Sequence, residues 1–187
     1  MKIVALDHQQ EYDGTQLCSA FVQSHAADVA DTSDVVLLFE GAADVPVEHL
    51  VDTEDADADR PIYSPHMAHV IIAHPSMELA RAVLAQRLLG RLAADWIGAH
   101  SGQHVSVRGD DLYLDRAKLS VSVATRCARG SLIHFAVNVD TEGTPLPTAG
   151  LRELRLPAGE FLRALARLYA DEMASVAHAE SKVRPVT

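Results

Sequence analysis

From Leu119 to Val139 apolar and polar residues alternate one by one, the period of a strand rather than of a helix. Leu119, Val121 and Val123 alternate with Lys118, Ser120, Ser122 and Ala124. After a turn at residues 126–130, Ile133, Phe135, Val137 and Val139 alternate with His134, Ala136 and Asn138. Pairing across that turn predicts a hydrophobic sheet face and an opposite face carrying Lys118, Ser120, Ser122, His134 and Asn138 on a floor of small residues. Small residues leave room for a ligand and the polar groups can orient it. The plainer alternative is an antiparallel sheet with a solvated outer face.

The other elements follow from the same kind of pattern. Residues 2–6 suggest a short strand, and residues 15–29 a helix with Leu17, Phe21 and Val22 as a partial stripe and Asp13 or Thr15 as its cap. Residues 31–34 form a turn, and the short apolar run at 35–39 reads as a buried strand. Residues 41–60 are the least regular stretch, and 61–74 predict a bend followed by a strand over 68–73. Residues 76–96 are rich in helix formers, with Ala80, Leu84, Leu88, Leu92 and Trp96 at i, i+4 spacing and Gly90 permitting close packing. Short strands are expected at 105–107 and 112–114 around an Arg108–Asp111 turn, with a Pro/Gly loop at 141–150. A last helix spans about 158–179, with Leu162, Ala166, Tyr169, Met173 and Val176 on one face, before a frayed tail. The two long helices should cover the apolar side of the sheet. The expected fold class is therefore α+β, a mixed, largely antiparallel sheet covered by helices, in a single domain over residues 1–187.

Composition narrows the function. A formal charge of −10 argues against a nucleic-acid surface and against binding to an anionic membrane. No stretch has the length of a transmembrane span, and the apolar start is too short for a signal peptide. Two cysteines, Cys18 and Cys127, make neither a disulfide framework nor a zinc site, so a reduced cytoplasmic setting is expected. A homodimer stays open.

Candidate chemistry lies in several clusters. Asp52, Glu54 and Asp55, close to His49, offer hard oxygen ligands for a divalent cation, against the alternative of a solvated acidic loop. Asp110 and Asp111 are a second candidate pair for Mg2+. His66 and His69 are expected to line a ligand site or serve the fold, because Pro65 disfavours a helical zinc pair. Gln86 and Arg87 are expected to be exposed or to project toward an edge, and Arg87 and Arg108 are candidate partners for phosphate charge.

The segment AKLSVSVATRCARGSLIHFAVNVD resembles the part of lipoate ligases and octanoyl transferases where a lysine opens one strand and a histidine-containing strand follows. Lys118 to Val121 match the first half, and His134, Ala136, Asn138 and Val139 the second. The whole chain is more similar to the domain-of-unknown-function 366 family, through YDGTQL, VEHLVDTED, RGDDLY and KLSVSVAT. That resemblance implies the fold of biotin and lipoate protein ligases and, more distantly, of class II aminoacyl-tRNA synthetase cores. It implies that Lys118 faces the carboxylate of an acyl ligand and the phosphate of its adenylate, and makes a small carboxylate, ATP and Mg2+ the expected partners. Three departures qualify it. The loop that carries a nucleophilic cysteine in the transferases reads PTAG, the Arg-Gly-Gly substrate loop is replaced by RPIYSPHMAHVIIAH, and Phe135 follows His134 where the transferases have glycine. The first disfavours thioester transfer; the others imply a differently shaped pocket. The expected activity is activation or transfer of a small carboxylate through an acyl-adenylate, with Lys118 and His134 as catalytic candidates and Ser120, Ser122, Asn138, His66, His69, Gln86, Arg87 and Arg108 toward the substrate. The alternative is a non-catalytic small-molecule-binding protein on the same fold. A hydrolase or acyl transferase using His134 as base ranks last, for want of a recognisable nucleophile.

Overall fold

The computed structural model describes residues 1–28, 30, 32–144 and 146–186. Val29 of the expected first helix, Asp31 of the expected turn, Pro145 of the Pro/Gly loop and Thr187 of the tail lie outside the described residues. The chain runs β1 (Lys2–Ala5), α1 (Ser19–His25), β2 (Val35–Val45), a 3-10 turn (Val47–His49), α2 (Thr53–Asp57), β3 (Ile62–Pro75), α3 (Leu79–Ser101), β4 (Val105–Arg108), β5 (Asp111–Leu114), β6 (Ala117–Lys118), β7 (Ser120–Cys127), β8 (Gly130–Asp140) and α4 (Ala158–Ser181). Five strands form one sheet in the order β1-β2-β3-β8-β7, parallel only between β1 and β2, and β4-β5-β6 form a small second sheet. The fold is α+β, with a mixed, largely antiparallel sheet and helices on it.

α3 and α4 cover one face of the large sheet. Val70, Ile72, Ile133, Phe135 and Val137 from β3 and β8 meet Leu89, Ile97, Phe161, Leu165 and Tyr169 there. The other face holds a smaller cluster in which Leu37, Phe39, Ile71 and Leu132 pack under Tyr12, Leu17 and Val22. His69 falls on that second face with Ile71 and Ala73, as strand alternation requires.

The pairing of β7 with β8 departs from expectation by one residue, with large consequences. Ser122 pairs with Phe135 and Val123 with His134, and Cys127 closes on Gly130 across a two-residue connection. Directly paired residues share a face, so Val121 and Val123 lie on the His134 side while Ser120 and Ser122 lie on the helix side. The serines tolerate that side because their hydroxyls are matched. Ser120 Oγ accepts the Leu112 N–H at 2.8 Å, and Ser122 Oγ accepts from Gln86 Nε2 at 2.9 Å and donates to the His134 carbonyl at 3.2 Å. Leu119 is buried, in the kink between β6 and β7.

α1 is shorter than the stripe suggested. Asp13 Oδ1 accepts the N–H and hydroxyl of Thr15 in a turn before the helix, and Cys18 occupies the cap position. β3 is longer than expected because Pro65 falls at the register shift against β2 and just before the first residue paired with β8, so its missing N–H breaks no ladder bond. α3 starts after Ser76, which sits at φ +68, and buries Ala82, Ala85, Gln86, Leu89, Gly90, Ala93, Ala94 and Ile97 rather than the leucine row. Leu84 of that row is 70% exposed. The small residues let the helix lie close on the sheet, and a Cβ on Gly90 would stand 3.9 Å from the Phe135 ring. α4 matches expectation through Met173 and runs on with mostly exposed residues.

β2 continues past the apolar run because Gly41 permits it. A register shift lies between Gly41 and Ala43, and a Cβ on Gly41 would stand 2.0 Å from the Gln10 carbonyl oxygen. Gly41→Ala therefore forces the Gln10 segment away from β2. A loss of about 1–3 kcal/mol is expected, read as a lower urea midpoint at unchanged slope.

Candidate functional site

A cleft of about 490 Å³ lies over the second face of the sheet, beyond the Tyr12–Leu17 cluster. Its floor is Val121 and Val123 of β7, His134 of β8 and Met67 of β3. The 3-10 turn and α2 supply one wall, and β5, β6 and the 141–150 loop supply the other.

Lys118 belongs to this second wall, and its backbone is held on three sides. Its N–H donates to the Pro147 carbonyl at 2.9 Å, and its carbonyl accepts from Ala149 N–H at 3.1 Å and Asn138 Nδ2 at 3.2 Å. Its side chain is 28% exposed, and Nζ stands 2.9 Å from Asp111 Oδ2. Burial pushes the Asp111 carboxyl up from its ordinary value, against the Lys118 hydrogen bond that pulls it down. Asp110 beside it accepts from Gln86 Nε2 at 3.1 Å. Thr148 lies next to Lys118 and shares a 2.6 Å hydrogen bond with the Thr144 hydroxyl.

His134 is 3% exposed and belongs to a chain of fixed hydrogen bonds. His69 Nε2 donates to the Gly41 carbonyl at 3.2 Å, which leaves His69 Nδ1 as an acceptor. His134 Nε2 stands 3.1 Å from that nitrogen and so carries the proton. The remaining nitrogen, His134 Nδ1, keeps its lone pair and has no hydrogen-bond partner among the described residues. Tyr12 stacks on the His134 ring at 3.8 Å between centroids, and Phe39 on the His69 ring at 4.7 Å. Burial holds His69 neutral, pushing it down to about 3, and pushes His134 well below the ordinary imidazole value. A ring so hard to protonate is a hydrogen-bond acceptor at neutral pH and a weak proton acceptor.

The remaining candidates separate. Ser120, Ser122 and Asn138 reach the cleft lining, but each is committed to the fold by its hydrogen bonds. His69 lies behind His134, and His66 pairs with Glu40 at 3.0 Å outside the cleft. Gln86, expected at the surface or an edge, is buried behind Asp110. Arg87 is exposed beside Gly109, and Arg108 lies over the Tyr113 ring at 4.8 Å, so neither arginine lines the cleft. Asp52, Glu54, Asp55, Asp110 and Asp111 line it, yet among the described residues no group of three or more His, Cys, Asp or Glu is placed to hold a metal ion. Asp52 caps α2 through the Glu54 and Asp55 N–H groups, Asp55 lies 4.0 Å from Arg60, and Asp111 is held by Lys118. Arg60, Thr148 and Tyr12 went unnoticed as site residues. Tyr12 was legible only through the YDGTQL resemblance. Cys18 is exposed and Cys127 lines a separate small cavity by His74, so neither thiol borders the cleft.

The family described as Domain of unknown function (DUF366) matches residues 1–184. The chain belongs to that family. An uncharacterized protein from Methanocaldococcus jannaschii is 28% identical over 160 residues, 82% of this chain and 72% of the relative. A protein of unknown function from Pyrococcus horikoshi is similar over 100% of both chains, with TM-score 0.91 and 30% identity. Beyond DUF366, the biotin protein ligase of Aquifex aeolicus in complex with biotin and ATP has the same fold, with TM-score 0.56 and 10% identity over 91% of this chain and 69% of that one. A T. acidophilum protein assigned as a lipoate protein ligase, with lipoic acid bound, gives TM-score 0.59 and 12% identity over 92% and 86%. Among the described residues of this DUF366 chain, no helix is long and apolar enough to cross a membrane.

The two neutral histidines make stability acid-sensitive. Both take up protons more readily unfolded, near the ordinary value of about 6.5, than folded. Stability is therefore expected to fall as pH drops below about 6.5, because the unfolded chain takes up the protons that both buried rings refuse. Urea midpoints across this range should show a shallower fall in His69→Gln than in the parent.

Proposed function

We propose that this DUF366 chain binds a small carboxylate in the cleft, with Lys118 as its counter-charge. The observation that carries the reading is the clamped, half-exposed Lys118, whose ammonium opens on the cleft within a fold shared with biotin- and lipoic-acid-bound proteins. Its present partner is a carboxylate, Asp111, so the ammonium is already placed to bind that group. A ligand carboxylate takes over this bond, and Lys118, a mobile point charge, follows it into the cleft.

The second reading adds activation of that carboxylate with ATP, favoured by the shared fold with the A. aeolicus ligase that holds biotin and ATP. There Lys118 would offset charge developing at the acyl phosphate. The lining does not fit a free triphosphate. Asp52, Glu54, Asp55, Asp110 and Asp111 face it, against Arg60 and Lys118, and among the described residues no group of three His, Cys, Asp or Glu is placed to hold a metal ion. No step is therefore assigned to the nucleotide.

Calorimetry with straight-chain carboxylic acids tests the first reading. Lys118→Ala is expected to weaken binding by about 10-fold or more, the cost of one charged hydrogen bond. Unchanged affinity in Lys118→Ala refutes the assignment. Pyrophosphate exchange with ATP over the same acids separates the readings. Exchange by the parent protein establishes activation, and Lys118→Ala should then slow it by roughly 100-fold or more. Replacing Cys18 and Cys127 together with serine is expected to leave binding and any exchange unchanged, and a complete loss with the fold intact would bring thiol chemistry back.

A further inference from the structure

The cleft contains two features that a plain carboxylate does not use. One is the lone pair on His134 Nδ1. The ring is 3% exposed, its other nitrogen is committed to His69, and Tyr12 covers its face, so what remains open on the cleft is an acceptor without a partner among the described residues. The complement of such an acceptor is an N–H or O–H donor on the ligand.

The second feature is the charge of the walls. Asp55 lies beside Arg60 and Asp111 beside Lys118, which leaves Asp52, Glu54 and Asp110 without an ion-pair partner among the described residues. The contacts of Asp52 and Asp110 come from backbone N–H groups and the Gln86 amide, which orient a carboxylate without cancelling its charge. A purely anionic ligand meets this field unfavourably, whereas one that carries a positive group as well is complementary to it. A bare metal ion does not answer the same need, since no metal-holding group of three His, Cys, Asp or Glu is assembled among the described residues. A protonated amine answers both features, because it is cationic and donates N–H bonds.

We propose that the ligand of the cleft is an amino carboxylate, whose protonated amine donates to His134 Nδ1 while its carboxylate faces Lys118. The inference rests on the carboxylate reading of Lys118 given above. It also sets a length. Asn138, which holds the Lys118 carbonyl, lies four residues from His134 on the same strand face, about 14 Å at roughly 3.4 Å per residue, and the lysine side chain spans part of that distance. The amine and the carboxylate therefore stand at opposite ends of an extended ligand, not on one carbon.

The test compares, by calorimetry on the full chain, straight-chain acids, amines and α,ω-amino acids matched in length from about four to about ten carbons, the range set by that spacing. The amino acid of best length is expected to bind at least about 10-fold more tightly than the matched acid, about 1.4 kcal/mol, with the gap narrowing as salt is added. His134→Phe, which removes the acceptor, should bring the amino acid down to the affinity of the plain acid measured in the same variant. His134→Gln, whose amide can donate to His69 and accept through Oε1, should retain part of the gap. Glu54→Gln alters only an exposed wall residue and should narrow the gap even if the histidine variants do not fold. A plain acid that binds the parent protein as tightly as its amino counterpart overturns the proposal; if Lys118→Ala still weakens that acid, the carboxylate reading survives. No Lys118-dependent binding by any acid or amino acid removes both.

Discussion

The hydrogen bond from His69 Nε2 to the Gly41 carbonyl fixes the chemistry of the cleft floor. It is made inside the sheet, between the bulged part of β2 and the middle of β3, and it decides which nitrogen of His69 carries the proton. That choice passes to His134 on β8 and leaves a lone pair on the nitrogen open to the cleft. A chain of buried polar groups is costly unless every link is matched, and here each internal link is. Glycine is favoured at 41 because Gln10 leaves no space for a Cβ, and the backbone carbonyl at that position ends the chain. Tyr12 and Phe39 press on the outer faces of the two rings, so the loop before α1 and strand β2 close over the same pair.

The register of β7 decides what the cleft is made of. With Val123 opposite His134, the floor beyond the histidine is apolar, and the polar groups stand on the walls. The serines on the other side of β7 are tied to Leu112 and Gln86, and Gln86 in turn holds Asp110 at the wall. The buried amide of α3 thus links the covered side of the sheet to the carboxylate pair that includes the partner of Lys118.

Much of the fold was legible because strands and helices write their periods into the chain. The alternation in β8, the histidine side of β3 and the covering role of α3 and α4 all follow from spacing. The registers were not legible in the same way. A two-residue turn at Ala128 and Arg129 shifts β7 by one position against the assumed pairing, and a period of two cannot reveal its own phase. On α3 the leucine row was the stronger signal, but the alanines and Gly90 form the contact face, because close approach to Phe135 outweighs side-chain size. The site was partly legible. Lys118, His134 and both acidic clusters do line the cleft, while Arg87 and Arg108 stand away from it and the amide-held roles of Asp52 and Gln86 depend on contacts distant from any motif.

The loop PTAG positions Lys118 through its backbone. Pro147 and Ala149 bond to both backbone groups of Lys118, and Thr148 stands beside it. The Thr148 hydroxyl is bonded to Thr144 at 2.6 Å, and the basic nitrogen that the described residues place on the cleft floor, in His134, is held neutral by burial, well below its ordinary value. A hydroxyl without an adjacent base is a poor nucleophile. The cleft therefore presents an ammonium held beside a carboxylate, in Lys118 and Asp111, and lacks an activated hydroxyl among the described residues; shared fold alone does not assign it a reaction.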